Sequence, residues 1–382
     1  MNTKLQNLMR QATQLTQSGN LSEATEVIQR FLRGNVPDPV PTAAPAHSKE
    51  SPLVLDDCVF EVIKPVSEPT LDTRKTAHTA RPNTGASGEF TSGSHTHAGL
   101  TRRYKLYVPP GHAGKALPLV VMLHGCTQNP DDFAAGTGMN QRAQAQGFFV
   151  LYPQQSSESN PQACWSWFKH NHQKRGMGEP ALIASLTQAV IQQYALDARR
   201  VYVAGLSAGG AMAAVLAGAY PDIYAAVGVH SGLPAGAASN VAQALLVMKS
   251  GHSGISLPGK RRQAGAPTAS EKHPPINIPT IVFHGDEDKT VHPRNGEKLI
   301  AAVQGHAAAG AQLEQGVSAH GRRYTRSIRH GDSGSTMSEH WLVHGGGHAW
   351  SGGLAAGSYT DNHGPDATGE MLRFFFSHQL KA

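Results

Sequence analysis

Cysteine is scarce. Cys58, Cys126 and Cys164 are the only three in 382 residues, a number too small and too odd for a disulfide framework, which leads to the expectation of a reducing compartment. Long apolar runs are absent too, so no transmembrane helix is expected. Residues Met1–Arg33 interleave leucines with Gln, Thr and charged side chains and lack the continuous apolar core of a signal peptide. The expectation is therefore a cytoplasmic protein, with secretion requiring a route not displayed in the sequence. The formal charge is +6, but its basic residues are dispersed and no Lys/Arg block stands beside aromatic residues, so a nucleic-acid partner is not expected. The 21 histidines fall mostly singly, and neither H-E-x-x-H nor a paired C-x-x-C occurs. No metal and no organic cofactor is expected on that pattern.

What is present divides into three regions. Apolar residues recur at helical spacing over Leu5–Leu15 and Glu23–Leu32, on either side of the breaker Ser18-Gly19-Asn20, which predicts a helical hairpin over residues 1–33. The hairpin looks like half of a tetratricopeptide unit, but no second copy follows, so a docking element or a homo-oligomer contact is the better reading. Residues 34–87 turn to Pro, Ala, Ser and Thr, apart from an apolar island at Val59–Val66, and read as a linker. Residues 88–382 are expected to form the main folded domain. Strands are predicted at Leu100–Val108, Leu117–Leu123, Phe148–Tyr152, Val201–Ala204, Ala225–Val229 and Thr280–His284, with helical stretches around Phe133–Gln146, Ala181–Tyr194 and Gly210–Tyr220. This alternation is that of an α/β fold, a mainly parallel sheet flanked by helices, whose ligands bind at the carboxyl ends of the strands. Gly254-Ile255-Ser256-Leu257-Pro258-Gly259-Lys260 matches most of a phosphate-binding loop, but Arg261 stands where Ser or Thr would hold magnesium and no buried strand leads in. Nucleotide binding is set aside.

The pentapeptide Gly205-Leu206-Ser207-Ala208-Gly209 sits between an apolar run and a helix-forming stretch. A sharp strand-to-helix turn lifts a serine clear of its neighbours and places the helix N–H groups behind it, so Ser207 is the candidate nucleophile. In so glycine-rich a chain the bare pattern also fits a plain loop, and the strand-to-helix context favours function. Three more strand ends are candidates. Val120–Leu123 runs into His124-Gly125-Cys126, where the Cys126 N–H can join that of Ala208 in an oxyanion hole. Ile281–His284 runs into Asp286, Glu287 and Asp288, carboxylates able to orient a histidine. Trp341-Leu342-Val343-His344 runs through three glycines to His348, and those glycines make a shared metal face on one helix improbable. His344 reads as a strand residue. The chain order Ser, Asp, His is that of α/β-hydrolases.

Those residues, together with Cys164-Trp165-Ser166-Trp167-Phe168, Gly357-Ser358-Tyr359-Thr360-Asp361 and Gly364-Pro365-Asp366-Ala367, closely resemble the poly(3-hydroxybutyrate) depolymerase family of serine esterases over roughly Phe90–His378. Feruloyl and acetylxylan esterases look similar. The resemblance implies Ser207 as nucleophile, His348 as general base and acid and Asp288 as the orienting acid, with Asp286 the runner-up. It further implies cleavage of short-chain 3-hydroxyalkanoate polyester or oligomers through an acyl-enzyme, with a polyhydroxyalkanoate granule surface as a candidate partner. Trp165, Trp167, Trp350 and Tyr359 are candidates to line an apolar cleft for the polymer, with structural burial the equal alternative for each. The family's aromatic motif usually has asparagine where this chain has Ser166. In secreted relatives Cys126 and Cys164 can pair. The rival expectations are a carboxylesterase for feruloyl, acetyl or other small soluble esters, and a non-catalytic granule-binding protein whose hairpin does the main work.

Overall fold

The computed structural model describes residues 87–252, 274–307 and 310–381. The predicted hairpin, nearly all of the linker and the loop-like Gly254–Lys260 segment lie outside the described residues. Among the described residues ten strands form one sheet: β1 (Glu89–His97), β2 (Leu100–Val108), β3 (Leu119–Leu123), β4 (Phe149–Pro153), β5 (Val201–Leu206), β6 (Ala226–His230), β7 (Thr280–Gly285), β8 (Gln312–Val317), β9 (Arg323–His330) and β10 (Thr336–Val343). Their order is β1-β2-β4-β3-β5-β6-β7-β10-β9-β8. The run from β4 to β10 is parallel, and an antiparallel pair closes each end.

The central strands β3, β5, β6 and β7 are buried along their whole length, as expected where helices cover both faces of a parallel sheet. Their alternate residues feed two cores. Leu119, Val121, Leu123, Val201 and Val203 face one, with residues of α3 (Gly178–Tyr194), α4 (Ala208–Ala219), α5 (Val241–Ser250) and α6 (Arg294–Ala302). Val120, Met122, Tyr202, Ala204 and Leu206 face the other, with α1 (Pro130–Thr137), α2 (Met139–Gln146) and α7 (Ala367–Phe376). The single helical stretch predicted around Phe133–Gln146 is two helices. Gly138, at φ 63°, ends α1 through its N–H to Ala134 O and starts α2, a left-handed conformation in which glycine carries no Cβ penalty. A two-stranded pair, β11 (Trp350–Ser351) with β12 (Thr360–Asp361), follows β10. His344 is the first residue beyond β10 rather than part of it. Among the described residues no helix is long and apolar enough to cross a membrane.

Candidate active site

Four parallel strands, with β6 between β5 and β7, deliver their carboxyl ends to one edge of the sheet. β5 ends at Ser207, β3 at His124-Gly125-Cys126, β7 at the loop carrying Asp288 and β10 at the glycine run before His348. Ser207 stands at φ 57°, ψ −119°, a region that a non-glycine residue holds at a cost of about 1–3 kcal/mol. Packing enforces it. The Ser207 N–H donates to His230 O at 2.9 Å, and its carbonyl accepts the Ala211 N–H at 2.9 Å to open α4. The turn closes this tightly because a Cβ on Gly205 would lie 2.4 Å from the Gly209 carbonyl group, and one on Gly209 would lie 2.0 Å from Leu123 O. The two flanking glycines of the pentapeptide are thus demanded by close backbone approach. Gly125 passes close by: a Cβ there would be 3.7 Å from Ser207 Cβ.

Asp288 is sequestered and fully partnered. Its Oδ1 accepts the N–H groups of Thr290 (2.9 Å) and Val291 (2.8 Å), its Oδ2 accepts His348 Nδ1–H at 2.7 Å, and His284 Nε2, which donates to Val291 O at 2.8 Å, stands 3.5 Å from Oδ2. Burial works to raise its pKa, but the imidazoles of His284 and His348 and the Val291 N–H outweigh it and hold the carboxyl well below the usual range. Asp286 takes a different partner. Its Oδ2 accepts His344 Nδ1 at 2.8 Å and its Oδ1 the Gly345 N–H at 2.7 Å, while His344 Nε2 meets Thr325 Oγ1 at 2.9 Å. Each acid of the pair therefore has its own histidine, and His348 belongs to Asp288.

His230 knits the strand ends together. Its carbonyl holds Ser207, its ring stacks on Trp350 with centroids 5.2 Å apart, and its Nε2 accepts the Ser351 N–H at 2.9 Å. Burial, with the neighbouring imidazoles of His284 and His348, pushes its pKa down to about 3, so it is a neutral structural imidazole. No motif pointed to it, because its partners come from β5 and from the segment after β10.

Of the two readings open for the four aromatic residues, a polymer cleft or structural burial, three take the second. Trp165, Trp167 and Trp350 are buried. Trp165 Nε1 is spent on His124 O and Trp350 Nε1 on Thr368 Oγ1, as buried indoles require. Only Tyr359 of the four is exposed, its hydroxyl 3.1 Å from Thr127 Oγ1 beside the His-Gly turn. Cys126 and Cys164 form a disulfide. Two of the three cysteines are thus paired, which removes the ground on which a reducing compartment was expected. Among the described residues no group of three or more His, Cys, Asp or Glu is arranged to hold a metal ion.

The family described as Esterase PHB depolymerase matches residues 102–317. The chain belongs to this family. The matched segment contains Ser207 and Asp288, and His348 lies beyond it. Similar relatives include poly(3-hydroxyalkanoate) depolymerase C of Paucimonas lemoignei, 34% identical over 206 residues that cover 54% of this chain and 48% of that protein. Acetylxylan esterase A of Emericella nidulans is 32% identical, covering 50% of this chain and 63% of that protein. Feruloyl esterase B of Thermothelomyces thermophilus is 30% identical, covering 53% and 68%. The chain spans about half the length of the Paucimonas relative. The acetyl xylan esterase from Aspergillus awamori shares the fold, with a TM-score of 0.56 at 20% identity over 75% of this chain and 99% of that one.

Proposed function

We propose that this esterase hydrolyses short-chain 3-hydroxyalkanoate polyester or its oligomers through an acyl-enzyme formed on Ser207. The observation that carries the catalytic assignment is the 2.7 Å contact of His348 Nδ1 with the buried Asp288, at the same sheet edge as the strained Ser207 turn. With Nδ1 committed to the carboxylate, His348 Nε2 is the nitrogen that takes the Ser207 proton as Oγ attacks the ester carbonyl. The negative charge on the carbonyl oxygen is received by the N–H groups of Ala208 and Cys126. Collapse of the tetrahedral adduct breaks the ester C–O bond, and the His348 proton leaves with the alcohol. Water, deprotonated by the same imidazole, then releases the hydroxy acid and restores Ser207. Asp288 remains ionised throughout and stabilises the imidazolium.

The polyester is favoured by the family and by the Paucimonas relative. A feruloyl or acetyl ester is the second reading, supported by relatives of nearly equal identity and by the shared fold. Purified protein should release 3-hydroxybutyrate from amorphous polyhydroxybutyrate at least tenfold faster, per active site, than it releases ferulate or acetate from the corresponding carbohydrate esters. The reverse preference would transfer the assignment to the second reading.

A further inference from the structure

Beside the His-Gly turn lies a buried carboxylate with no part in the chemistry above. Glu179, in the first turn of α3, is 2% exposed. Its Oε2 accepts the Ser166 N–H at 2.8 Å and its Oε1 accepts Gln155 Nε2 at 2.5 Å, while Arg102 and His172 stand at 3.3 and 3.6 Å. Burial favours the neutral acid, but His172, Gln155 and Ser166 prevail and keep it below the usual glutamate range.

The groups held by Glu179 in turn hold the turn that leaves β3. Gln155 donates its backbone N–H to His124 Nε2 at 3.1 Å and its side-chain amide to Cys164 O at 2.9 Å. Ser166 follows Trp165, whose Nε1–H donates to His124 O at 3.1 Å, and Cys164 is bonded to Cys126. Because His124 Nε2 accepts a backbone N–H, the ring proton sits on Nδ1 and is donated to Gly125 O at 2.8 Å. The Gly125 carbonyl and the Cys126 N–H belong to one trans peptide plane and point in opposite directions. Fixing the carbonyl therefore aims the N–H.

We propose that Glu179 is a positioning residue for the oxyanion pocket. Through Gln155 and the Ser166 backbone it anchors the His124 ring, the His124 carbonyl and the Cys126 sulfur, three points that set the direction of the Cys126 N–H. This inference rests on the assignment of that N–H as an oxyanion donor.

The test uses the full chain, a nitrophenyl ester, and active sites counted by fluorophosphonate titration. In Glu179→Gln the new amide NH2 must face either the Ser166 N–H or the Gln155 amide, donor against donor. Removal of an oxyanion donor outright costs about 10²–10³ in kcat, so a misaimed one should lower kcat about tenfold while KM stays within about twofold. Inhibition by an alkyl trifluoromethyl ketone, whose serine adduct carries the oxyanion, should weaken by the same factor. Gln155→Met, which keeps Glu179 beside Arg102, should show the same split at about threefold and decides the matter if Glu179→Gln does not fold. A lowered melting temperature with unchanged kcat per titrated site and unchanged ketone inhibition would make Glu179 a purely structural residue and overturn the proposal. If the wild type shows no Ser207-dependent inhibition by the ketone, the catalytic assignment itself fails, and this inference falls with it.

Discussion

Two aspartate–histidine pairs stand side by side beyond β7 and β10, Asp288 with His348 and Asp286 with His344, at 2.7 and 2.8 Å. Their residues are two and four positions apart in the chain, and distance does not tell them apart. Their surroundings do. The Asp288 side chain is inaccessible to solvent and that of His348 is 12% exposed, whereas Asp286 and His344 are each about one-third exposed. Two backbone N–H groups grip the second oxygen of Asp288, and a charge in such a low-dielectric setting acts strongly on an adjacent imidazolium. His344 has both ring nitrogens occupied, one by Asp286 and the other by Thr325. That pair is a clasp between strand ends, and through the Gly345 N–H it steadies the start of the glycine run that leads to His348. The same two residue types thus serve as machinery in one place and as fastening in the other.

Breaking the buried pair should have the largest effect. Asp288→Asn should lower kcat by about 10⁴-fold, because the amide no longer fixes the useful tautomer of His348 or stabilises its cation. Steady-state kinetics on protein shown to be folded by circular dichroism measures this. A loss of under tenfold would deny Asp288 its role.

Acidification sharpens the contrast between buried and exposed histidines. Burial pushes His124, and His340 on β10 whose Nε2 is enclosed, down to about 4 and His230 to about 3. The unfolded chain takes up protons below about pH 6.5 while these three native rings do not, so stability falls as pH drops, by about 1.4 kcal/mol per pH unit for each. The Asp288 carboxyl, held low in the native state, starts to contribute an acid loss only below about pH 4. The melting temperature should therefore decline steeply between pH 6.5 and 4.5, and a flat profile there would contradict the neutral assignments.

The exposed clasp should yield the smallest effect. Asp286→Asn should change kcat by less than about threefold and lower the melting temperature by about 1–3 °C, the usual worth of a partly exposed side-chain hydrogen bond in a domain of this size. An effect equal to that of Asp288→Asn would erase the distinction between the pairs.

The sequence showed the buried centre of the fold well and its margins poorly. The strands β3, β5, β6 and β7 are continuous apolar runs, and β2 occupies the predicted Leu100–Val108. The β1 segment Glu89–His97 and the β8 segment Gln312–Val317 are mostly polar and part exposed. What makes them strands is the ladder to their antiparallel neighbours, which no local pattern records. Ser207 was legible because strand, glycines and helix all lie within one short segment. Asp288 came from resemblance and not from local pattern, since Asp286 sits two residues away in the same acidic loop. The tryptophans could not be sorted between cleft and core, because an indole on paper does not disclose whether its N–H meets water or a buried oxygen. Glu179 left no local signature at all, for its partners are drawn from residues 102, 155, 166 and 172.

The most direct test of the account is covalent labelling of the wild-type chain and of Ser207→Ala with a fluorophosphonate, followed by peptide mass spectrometry. The account predicts one adduct per wild-type chain, on the peptide containing Ser207, and neither adduct nor more than a trace of esterase activity in the variant. Stoichiometric labelling of another serine, or full activity in folded Ser207→Ala, would contradict it.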